Sequence, residues 1–311
     1  MRKILVCGFN PAAQKVLYFN KLTPGSVNRA DRLEQFPSGK GINFCRALNC
    51  SGLAQGKLLQ FSGGNNGKII EQGLEKENIP FLSIRTRGAT RCCCTCVDRA
   101  AGTVTELIEP SETAAPEETN AFCDHFIREL PDAAAAAFCG TLPGATDPEL
   151  YTRLAQAAAR NNVPLLLDVW KDPGKLFSAA RSVILKINKD ELFQLTGAAD
   201  IPSAFRTLEQ QYGLTRAAIT DGPGQAFAFD GSQLAVYTLP RLEKVVNPIG
   251  SGDTASAVLL GGIVSGTEFF PAFQSALAAA SANCLSSLCG SFSMQDAADI
   301  ARQITVEYHP L

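Results

Sequence analysis

The stretch Asn247-Pro-Ile-Gly-Ser-Gly-Asp-Thr254, followed by Ala255-Ser-Ala-Val-Leu-Leu260, carries the strongest structural signal in the chain. Its glycines permit a sharp turn, and the apolar residues after the turn predict a buried helix. The turn would bring the backbone N–H groups of Gly250, Ser251 and Gly252 together at the N-terminus of that helix. The helix dipole favours an anion there, and a phosphate group fits such a site.

Asp253 directly follows these amides, so its carboxylate would lie beside the bound anion. In that position it is suited to accept the proton of a hydroxyl group that attacks a phosphoryl group. The alternative interpretation is structural, because an aspartate at the start of a helix also caps it. Other segments of the chain decide between a phosphoryl-transfer site and a capped helix.

The rest of the chain alternates short apolar runs with helix-length patterns. The predicted strands lie at 4–8, 136–139, 164–169, 182–187, 217–219 and 226–229. The predicted helices lie at 116–130, 148–160, 189–195 and 204–212, with three more at 254–264, 269–286 and 294–308. This alternation predicts an α/β fold in which a mainly parallel sheet is flanked by helices on both faces.

Two further segments have the alternating pattern of half-buried strands. Residues 15–35 contain one candidate pair of strands, and residues 91–97 and 103–108 form a second pair. Together they predict a small β-sheet inserted into the larger fold, over about residues 12–37 and 85–110. No repeat, low-complexity tract or charge run marks a linker, so the sequence predicts one domain over residues 1–311.

The composition limits the possible functions. The chain has 311 residues, 46% of them apolar, and a formal net charge of −2, so it can bury a large core. It has no basic stretch of the kind that binds nucleic acid, and a nucleic-acid partner is not expected. Its only two histidines, His125 and His309, lie far apart in sequence and leave little material for a histidine-based zinc site or a Ser-His-Asp triad.

The N-terminus and the cysteines predict a compartment. The apolar run 4–7 is too short for a secretory signal, and no stretch approaches the ~18 apolar residues of a membrane span. We therefore expect a cytoplasmic protein with no membrane partner and with reduced cysteines. Cys93 and Cys96 match the C-x-x-C spacing, but residues three apart lie on opposite faces of a strand. A cysteine-rich strand face is the favoured interpretation, and metal or redox use is the alternative.

Several motifs accompany the Gly-Ser-Gly-Asp segment in the order of a known family. They are Asn10-Pro-Ala12, Ser38-Gly-Lys-Gly-Ile-Asn43, Thr90-Arg91, Thr105-Glu-Leu107, Cys139-Gly-Thr-Leu-Pro-Gly144, Lys186-Ile-Asn-Lys-Asp-Glu191 and Thr220-Asp-Gly222. With these motifs the chain resembles the ribokinase-like (PfkB) carbohydrate kinases along nearly its whole length, in the form of the tagatose-6-phosphate kinase and 1-phosphofructokinase branch. The resemblance implies a ribokinase-like fold that binds ATP and Mg²⁺, with the small sheet as a lid.

On the nucleotide side, the resemblance assigns Lys186 to the nucleotide phosphates. It assigns Asn188 and Glu191 to the magnesium–phosphate network, with contact to the metal through water. Oxygen ligands of this kind suit a hydrated Mg²⁺. The alternative for these two residues is a capped, solvent-facing helix start. The remaining nucleotide-site residues that the resemblance implies are Thr220, Gly222 and Asn283.

On the sugar side, the segment 38–43 leaves the backbone bare and then begins a helix. Gly39 and Lys40 would therefore contact a sugar, and Asn43 would bind its hydroxyls. The alternative is an ordinary glycine-rich turn. Arg91 is suited to a bidentate contact with a phosphate on the substrate, and Arg29 is a weaker candidate for the same contact. The alternative for Arg91 is a solvated charge at a strand edge.

Three positions depart from the family pattern. Gln14 stands where the family has an aspartate that contacts the sugar, Ser38 replaces a glycine, and Gln225 replaces the last glycine of the nucleotide loop. The departures therefore affect the positions that would read the sugar and the nucleotide loop, whereas the Gly-Ser-Gly-Asp motif of phosphoryl transfer is intact. Asp168, at a predicted strand end, is as suited to organising nearby loops as to contacting substrate.

We expect ATP-dependent phosphoryl transfer to a hydroxyl of a phosphorylated ketohexose (tagatose 6-phosphate, fructose 1-phosphate or fructose 6-phosphate), with Asp253 as the general base. Two alternatives stay open: a non-catalytic relative that binds a sugar phosphate or nucleotide, and a kinase of an unphosphorylated sugar. A nicotinamide dehydrogenase is disfavoured, because the turn Gly8-Phe-Asn-Pro-Ala-Ala13 lacks two glycines of the dinucleotide-binding motif. The resemblance also implies a homodimer joined through the lid.

Overall fold

The computed structural model describes residues 1–169 and 174–311, which form a large sheet covered by helices and a separate small sheet. The strands are β1 (Lys3–Gly8), β2 (Ala12–Phe19), β3 (Arg32–Ser38), β4 (Gln55–Ser62), β5 (Phe81–Arg85), β6 (Cys92–Asp98), β7 (Thr103–Ile108), β8 (Ala135–Cys139), β9 (Leu165–Asp168), β10 (Val183–Asn188), β11 (Ala217–Asp221), β12 (Gln225–Phe229), β13 (Gln233–Thr238) and β14 (Thr305–Pro310). The helices are α1 (Lys40–Ser51), α2 (Gly64–Lys76), α3 (Pro116–Glu129), α4 (Glu149–Arg160), α5 (Gly174–Ala179), α6 (Lys189–Thr196), α7 (Ile201–Tyr212), α8 (Ser251–Val264), α9 (Phe269–Asn283) and α10 (Met294–Ala301). None of the helices in the described ranges has the length and apolar content to cross a lipid bilayer.

The strands of the large sheet follow the order β14-β13-β12-β11-β10-β9-β8-β1-β4-β5. From β5 to β11 neighbouring strands run parallel, and β12, β13 and β14 add antiparallel strands at one edge. The chain leaves β1 for β4 on one side and later adds β8 on the other side. In open α/β sheets a ligand crevice forms at the carboxyl ends of strands flanking such a switch point.

Helices cover both faces of the large sheet, as the strand–helix alternation predicts. The side chains of β1 alternate between two cores, with Ile4 and Val6 in one and Leu5 and Cys7 in the other. The first core includes buried residues of α1, α8, α9 and α10, and the second includes residues of α3, α4, α6 and α7. Because the sheet is buried on both faces, its parallel strands are nearly continuous apolar runs.

The small sheet has the order β3-β2-β6-β7, and we call it the lid. β2 is antiparallel to β3 and parallel to β6, and β6 and β7 form a hairpin. The separate small sheet that the sequence predicts is confirmed, with its strands at 12–19, 32–38, 92–98 and 103–108, whereas residue 85 belongs to β5 of the large sheet. Every residue of β7 is exposed, whereas β2 begins with three buried residues.

The C-terminal prediction needs a correction. Residues 294–308 do not form one helix: α10 ends at Ala301, and β14 pairs antiparallel with β13. Thr305, Val306 and Tyr308 favour a strand, and the free edge of the large sheet supplies the pairing. The sequence interpretation also omitted β4, α2, β5 and β13, and it extended α9 three residues beyond its end at Asn283.

The cysteine-rich segment is strand β6. Cys96 is buried and Cys93 is half-buried, and strand geometry puts the two on opposite faces, as their spacing predicts. All eleven cysteines are free thiols. Within the described ranges, no group of three or more His, Cys, Asp or Glu side chains is arranged to hold a metal ion.

Candidate active site

Two clefts open at the carboxyl ends of the parallel strands, each of about 490 Å³. The first lies at the switch point, and we call it the lid cleft. Its lining includes Gly8, Asn10, Gly39, Lys40, Arg91, Gly140, Tyr151, Asp168 and Glu191. The second, the proline cleft, has a largely apolar lining that includes Thr220, Gly222, Pro223, Pro240, Leu242, Val245, Pro248, Ser251, Gly252, Leu277 and Cys284. The lid cleft therefore carries charges of both signs, and the proline cleft offers apolar surface.

The N-terminus of α8 has the turn that the sequence predicts. Gly250 is the N-cap residue in the left-handed conformation, with φ of 82°, and no side chain caps the helix. The first amides of a helix lack partners within it, so they can bind an anion. A methyl group built on Gly252 would lie 3.3 Å from Lys186 Nζ, so an ammonium group lies beside these amides. The turn thus combines backbone donors, the helix dipole and a cation.

Asp253 lies in the first turn of α8 and is 7% exposed. Asn43 Nδ2 donates a hydrogen bond to Asp253 Oδ2 over 2.8 Å. Burial and the nearby charge of Asp168 raise the pKa of Asp253 to about 6, against the opposing effects of Lys40, of the Asn43 hydrogen bond and of Lys186. A carboxylate with a pKa just below neutral is suited to general base catalysis.

Two lysines flank this carboxylate. Lys40 Nζ donates to Asp168 Oδ1 over 2.9 Å, which joins the start of α1 to the end of β9. Burial alone would lower the pKa of Lys40, but the charges of Asp168 and Asp253 outweigh it and raise the pKa. Lys186 is buried at the end of β10, and burial lowers its pKa despite nearby carboxylates. Asp168 therefore organises the start of α1 through Lys40 and also lines the lid cleft, and its contact with substrate stays a prediction.

Arg91 lines the lid cleft immediately before β6. Its Nη2 donates to Asn10 O over 3.2 Å, and its Nε is buried without a hydrogen-bond partner among the residues that the structure describes. A buried unpaired guanidinium donor is costly, and an anion in the cleft would pair it. Arg29, the weaker candidate, is exposed in the loop between β2 and β3 and lies outside the cleft lining.

Gln14 and Gly39 are placed differently. Gly39 lies at the lid cleft with its backbone against Pro11, since a methyl group on it would be 3.1 Å from Pro11 Cα. Gln14 is buried in β2, and its Nε2 donates to Thr95 Oγ1 on β6 over 2.8 Å. It is not part of the lid-cleft lining. Its contact with a sugar therefore stays a prediction, and its described role is to join two lid strands.

Asn188 and Glu191 form a reciprocal cap at the start of α6. Asn188 Oδ1 accepts from Glu191 N over 2.8 Å, and Glu191 Oε2 accepts from Asn188 N over 3.0 Å. This is the capped helix start that the alternative interpretation predicts. Glu191 also lines the lid cleft, and its Oε1 takes no part in the cap. One or two oxygen ligands are what a hydrated Mg²⁺ that also binds nucleotide phosphates needs from a protein.

Of the three remaining nucleotide-site predictions, two residues reach the proline cleft. Thr220 and Gly222 line it, whereas Asn283 is buried outside its lining. Asn283 Nδ2 donates to Ile249 O over 3.1 Å, and its Oδ1 accepts from Gly290 N over 2.7 Å. The described hydrogen bonds of Asn283 therefore stabilise the turn before α8 from the buried side.

Sequence reasoning missed Tyr151 and most of the proline cleft. Tyr151 lines the lid cleft, its hydroxyl donates to Gly140 O over 2.7 Å, and burial raises its pKa. Nothing in the pattern of α4 separates this tyrosine from a core aromatic residue. The run Leu239-Pro-Arg-Leu242 also resembled an ordinary loop, although its prolines and leucines were a signal for an apolar surface.

Comparisons with known proteins identify the family and the fold of the chain. A family model described as pfkB family carbohydrate kinase matches residues 11–297. The chain is 26% identical over 287 residues to a 1-phosphofructokinase from Bacillus subtilis, covering 90% of this chain and 92% of that protein. It is 27% identical over 271 residues to a tagatose-6-phosphate kinase from Staphylococcus epidermidis, covering 84% and 85%. Among solved structures, the phosphofructokinase-2 from Escherichia coli in complex with potassium matches with a TM-score of 0.89 and 20% identity over 97% of this chain and 99% of that one. The resemblance carried by the motifs and the ribokinase-like fold are confirmed.

Proposed function

The chain belongs to the pfkB family of carbohydrate kinases, and we propose that it transfers a phosphoryl group from ATP to a hydroxyl of a phosphorylated ketohexose with Asp253 as the general base. The family makes the protein an ATP-dependent carbohydrate kinase. The substrate class and the role of each residue are the proposal.

The observation that carries the proposal is that Asp253, which is buried and lines neither cleft itself, adjoins residues of both. Its neighbours Ser251 and Gly252 line the proline cleft. Its partner Asn43 directly follows Ile42, which lines the lid cleft. A buried carboxylate at this junction, with a pKa raised to about 6, can accept a proton from a sugar hydroxyl in one cleft as that hydroxyl attacks a phosphate held from the other.

The phosphate being transferred is held by the groups around the start of α8. The amides of the Gly250–Gly252 turn and the Lys186 ammonium provide positive charge where negative charge spreads over the phosphoryl oxygens. The apolar lining of the proline cleft suits the base of a nucleotide, since such sites are mostly apolar with a few polar groups. Thr220 and Gly222 then lie along the nucleotide.

Mg²⁺ fits this arrangement as a water-bridged ion near Glu191 and Asn188. Glu191 Oε1 and the remaining lone pair of Asn188 Oδ1 lie outside the bonds that cap α6, and both are oxygen ligands. When bound, the ion would neutralise charge on the nucleotide phosphates. Lys40 pairs with Asp168, so it does not occupy the oxygens of Glu191 and Asn188 that would face the ion.

The proposal of a phosphorylated sugar rests on Arg91. Arg91 lines a cleft that also holds the Lys40 ammonium, so the cleft offers two cations to a substrate anion, and the buried Nε of Arg91 has no hydrogen-bond partner among the described residues. A phosphate pairs with a guanidinium more strongly than a neutral hydroxyl does, because its hydrogen bonds are charge-assisted. The names of the Bacillus and Staphylococcus relatives, which act on sugar phosphates, support the same substrate class.

Turnover of a matched panel tests the proposal. Purified protein with ATP and Mg²⁺ is assayed by ADP release against tagatose 6-phosphate, fructose 1-phosphate, fructose 6-phosphate and the corresponding unphosphorylated sugars, and ³¹P NMR identifies the product. We expect a bisphosphate product from at least one sugar phosphate. Turnover of unphosphorylated sugars alone would refute the substrate class. Binding without turnover of any sugar would instead indicate a non-catalytic relative.

We also propose that the protein forms a homodimer through the lid. The strand register places Leu33 and Leu107 on one face of the lid, and their exposed fractions are 55% and 56%. They lie on the two edge strands, and exposed apolar side chains on one face of a sheet favour an interaction surface. Sedimentation is expected to show a dimer that Leu33→Glu/Leu107→Glu dissociates, while Ile127→Glu on α3, an exposed apolar residue outside the lid, leaves it intact. A monomeric wild type would refute this assembly.

A further inference from the structure

Arg46 lies on α1, one turn after Asn43, and is 5% exposed. Its Nη1 donates to Asn43 Oδ1 over 3.2 Å and to Cys289 O over 2.6 Å. Its Nη2 donates to Pro37 O over 3.1 Å and to Glu77 Oε1 over 2.9 Å, and its Nε donates to Glu77 Oε2 over 2.7 Å. A guanidinium has five N–H donors, so the side chain is fully engaged with the protein and has none left for a substrate.

We propose that Arg46 is a positioning residue for phosphoryl transfer, which orients the Asn43 amide toward Asp253 and supports the turn before α8. This inference rests on the proposed function of Asp253 as the base. No substrate or cofactor contact is assigned to Arg46 itself.

The first part of the argument concerns the Asn43 amide. An asparagine amide has an oxygen that accepts and a nitrogen that donates, and the two ends have nearly the same shape. Arg46 Nη1 is a donor, so it pairs only with Oδ1 and thereby directs Nδ2 to Asp253. Without Arg46 the amide can also turn its oxygen toward Asp253, an orientation that pairs only with the protonated carboxyl group and so would raise the pKa of Asp253. Arg46 therefore selects the orientation in which the ionised base is stabilised.

The second part concerns the phosphate-binding turn. Arg46 Nη1 also holds the carbonyl of Cys289. A methyl group on Gly250 would lie 2.9 Å from Cys289 Cβ and 3.0 Å from Gly290 N, so the turn rests directly on this segment. A methyl group on Gly290 would lie 2.4 Å from Asn43 O, so the same segment also packs against α1. The Arg46 guanidinium therefore contacts both Asn43, which binds the base, and the Cys289–Gly290 segment, on which the anion-binding turn packs. It thereby fixes the position of the base relative to the turn.

The third part concerns the lid. Pro37, whose carbonyl accepts from Arg46 Nη2, lies in lid strand β3, two residues before Gly39, which lines the lid cleft. Glu77, just after α2, binds the guanidinium through both carboxylate oxygens and neutralises its charge. A buried cation without such a partner would be strongly destabilising, so any variant must treat the pair together.

The test compares two ion pairs that differ in their contact with the site. Arg46→Met/Glu77→Gln removes the pair without leaving a buried charge. The matched control is Arg85→Met/Glu71→Gln, because Arg85 Nη2 binds Glu71 Oε2 over 2.8 Å and its described contacts lie outside the site. Each variant is first checked by circular dichroism and thermal unfolding, and then kcat, KM for ATP and the pH profile of kcat/KM for the sugar are measured.

We expect the Arg46→Met/Glu77→Gln variant to lose roughly 10- to 100-fold in kcat with little change in KM for ATP, since small displacements of reacting groups have effects of this size. The acid limb of its pH profile is expected to move to higher pH, because Asp253 loses the hydrogen bond that lowers its pKa. Asn43→Ala is expected to move the limb in the same direction. The control pair is expected to keep both kcat and the limb.

An unchanged limb and kcat in the folded Arg46→Met/Glu77→Gln variant would overturn the inference. If that variant does not fold, Arg46→Lys decides: its single ammonium cannot hold Asn43, Cys289 and Glu77 together, so a limb that stays in place refutes positioning. A failure of the proposed function can be distinguished from a failure of this inference. If Asp253 is not the base, the Asp253→Asn variant keeps full turnover, whatever the Arg46 variants show.

Discussion

The Asn43 amide nitrogen lies 2.8 Å from a carboxylate oxygen of Asp253, and this hydrogen bond joins the start of α1 to the start of α8. The two residues come from the motifs at opposite ends of the chain that the sequence singles out. Their contact stabilises the ionised carboxylate, while burial and Asp168 favour its protonated form. The catalytic proposal depends on this balance, and the variants below test it.

Asp253→Asn is expected to lower kcat by at least ~10²-fold, which is typical of losing a general base. No side chain caps α8, and asparagine keeps the shape of aspartate but cannot accept a proton as a base, so this change tests catalysis with little effect on packing. Initial-rate kinetics and ATP binding by calorimetry are the measurements. Retained kcat would return Asp253 to a structural role, and a parallel loss of ATP affinity would indicate damage to the whole turn.

The pH dependence should reflect the same carboxylate. Asp253 acts as a base only when ionised, and its pKa is raised to about 6, so kcat/KM for the sugar should rise with pH through about 6 and then level off. Below that range the fall should approach tenfold for each pH unit. The profile is measured in buffers of constant ionic strength. An acid limb near pH 4, the ordinary range of an aspartate, would contradict this environment for the base.

Arg91→Ala should weaken binding of a phosphorylated sugar by roughly 2 to 5 kcal/mol if the ion pair is buried, with much less effect on ATP. The physical reason is the Arg91 Nε donor, which is left for an anion in the lid cleft. Arg85→Ala serves as the control for removing an arginine outside the cleft, and Arg29→Ala tests the weaker candidate. Equal losses for phosphorylated and plain sugars in calorimetric titrations would remove Arg91 from the phosphate site.

Gln14→Asp should raise kcat/KM for tagatose 6-phosphate or a fructose phosphate by roughly 10- to 150-fold, if a charged acceptor there contributes the usual 1.5–3 kcal/mol. Gln14 now donates to Thr95 Oγ1, whose hydroxyl can donate to an aspartate instead. Thr95→Val is the control, because it removes the lid contact and leaves Gln14 in place. Unchanged kcat/KM for every sugar in Gln14→Asp would limit Gln14 to joining β2 and β6.

The parts of the fold that the sequence predicts are those with local signals. Gly250 has a positive φ at a helix start, and the apolar residues after it form a helix buried on every side. The hairpin of β6 and β7 likewise follows from alternation on either side of a turn. In each of these cases the interactions that determine the structure join residues close in sequence, so the local sequence pattern predicts the element.

The parts that the sequence does not predict depend on distant partners. β14 is a strand because β13 offers a free edge, and no glycine or proline interrupts 294–308 to mark the change from helix. The Lys40–Asp168 bond joins residues 128 positions apart. Arg46 carries a charge in a helix, which in isolation indicates solvent exposure, whereas its partners come from four separate segments. Tertiary packing determines all three.

Helix α8, whose first turn carries the proposed base, is buried along nearly its whole length, whereas β7 of the lid is exposed at every residue. We therefore expect the amide protons of α8 to exchange with solvent through global unfolding, and those of β7 through local opening. The proposed base is thus carried by a helix of the buried core, whereas β7 is an edge strand of the small sheet. Local opening of that edge would leave α8 undisturbed.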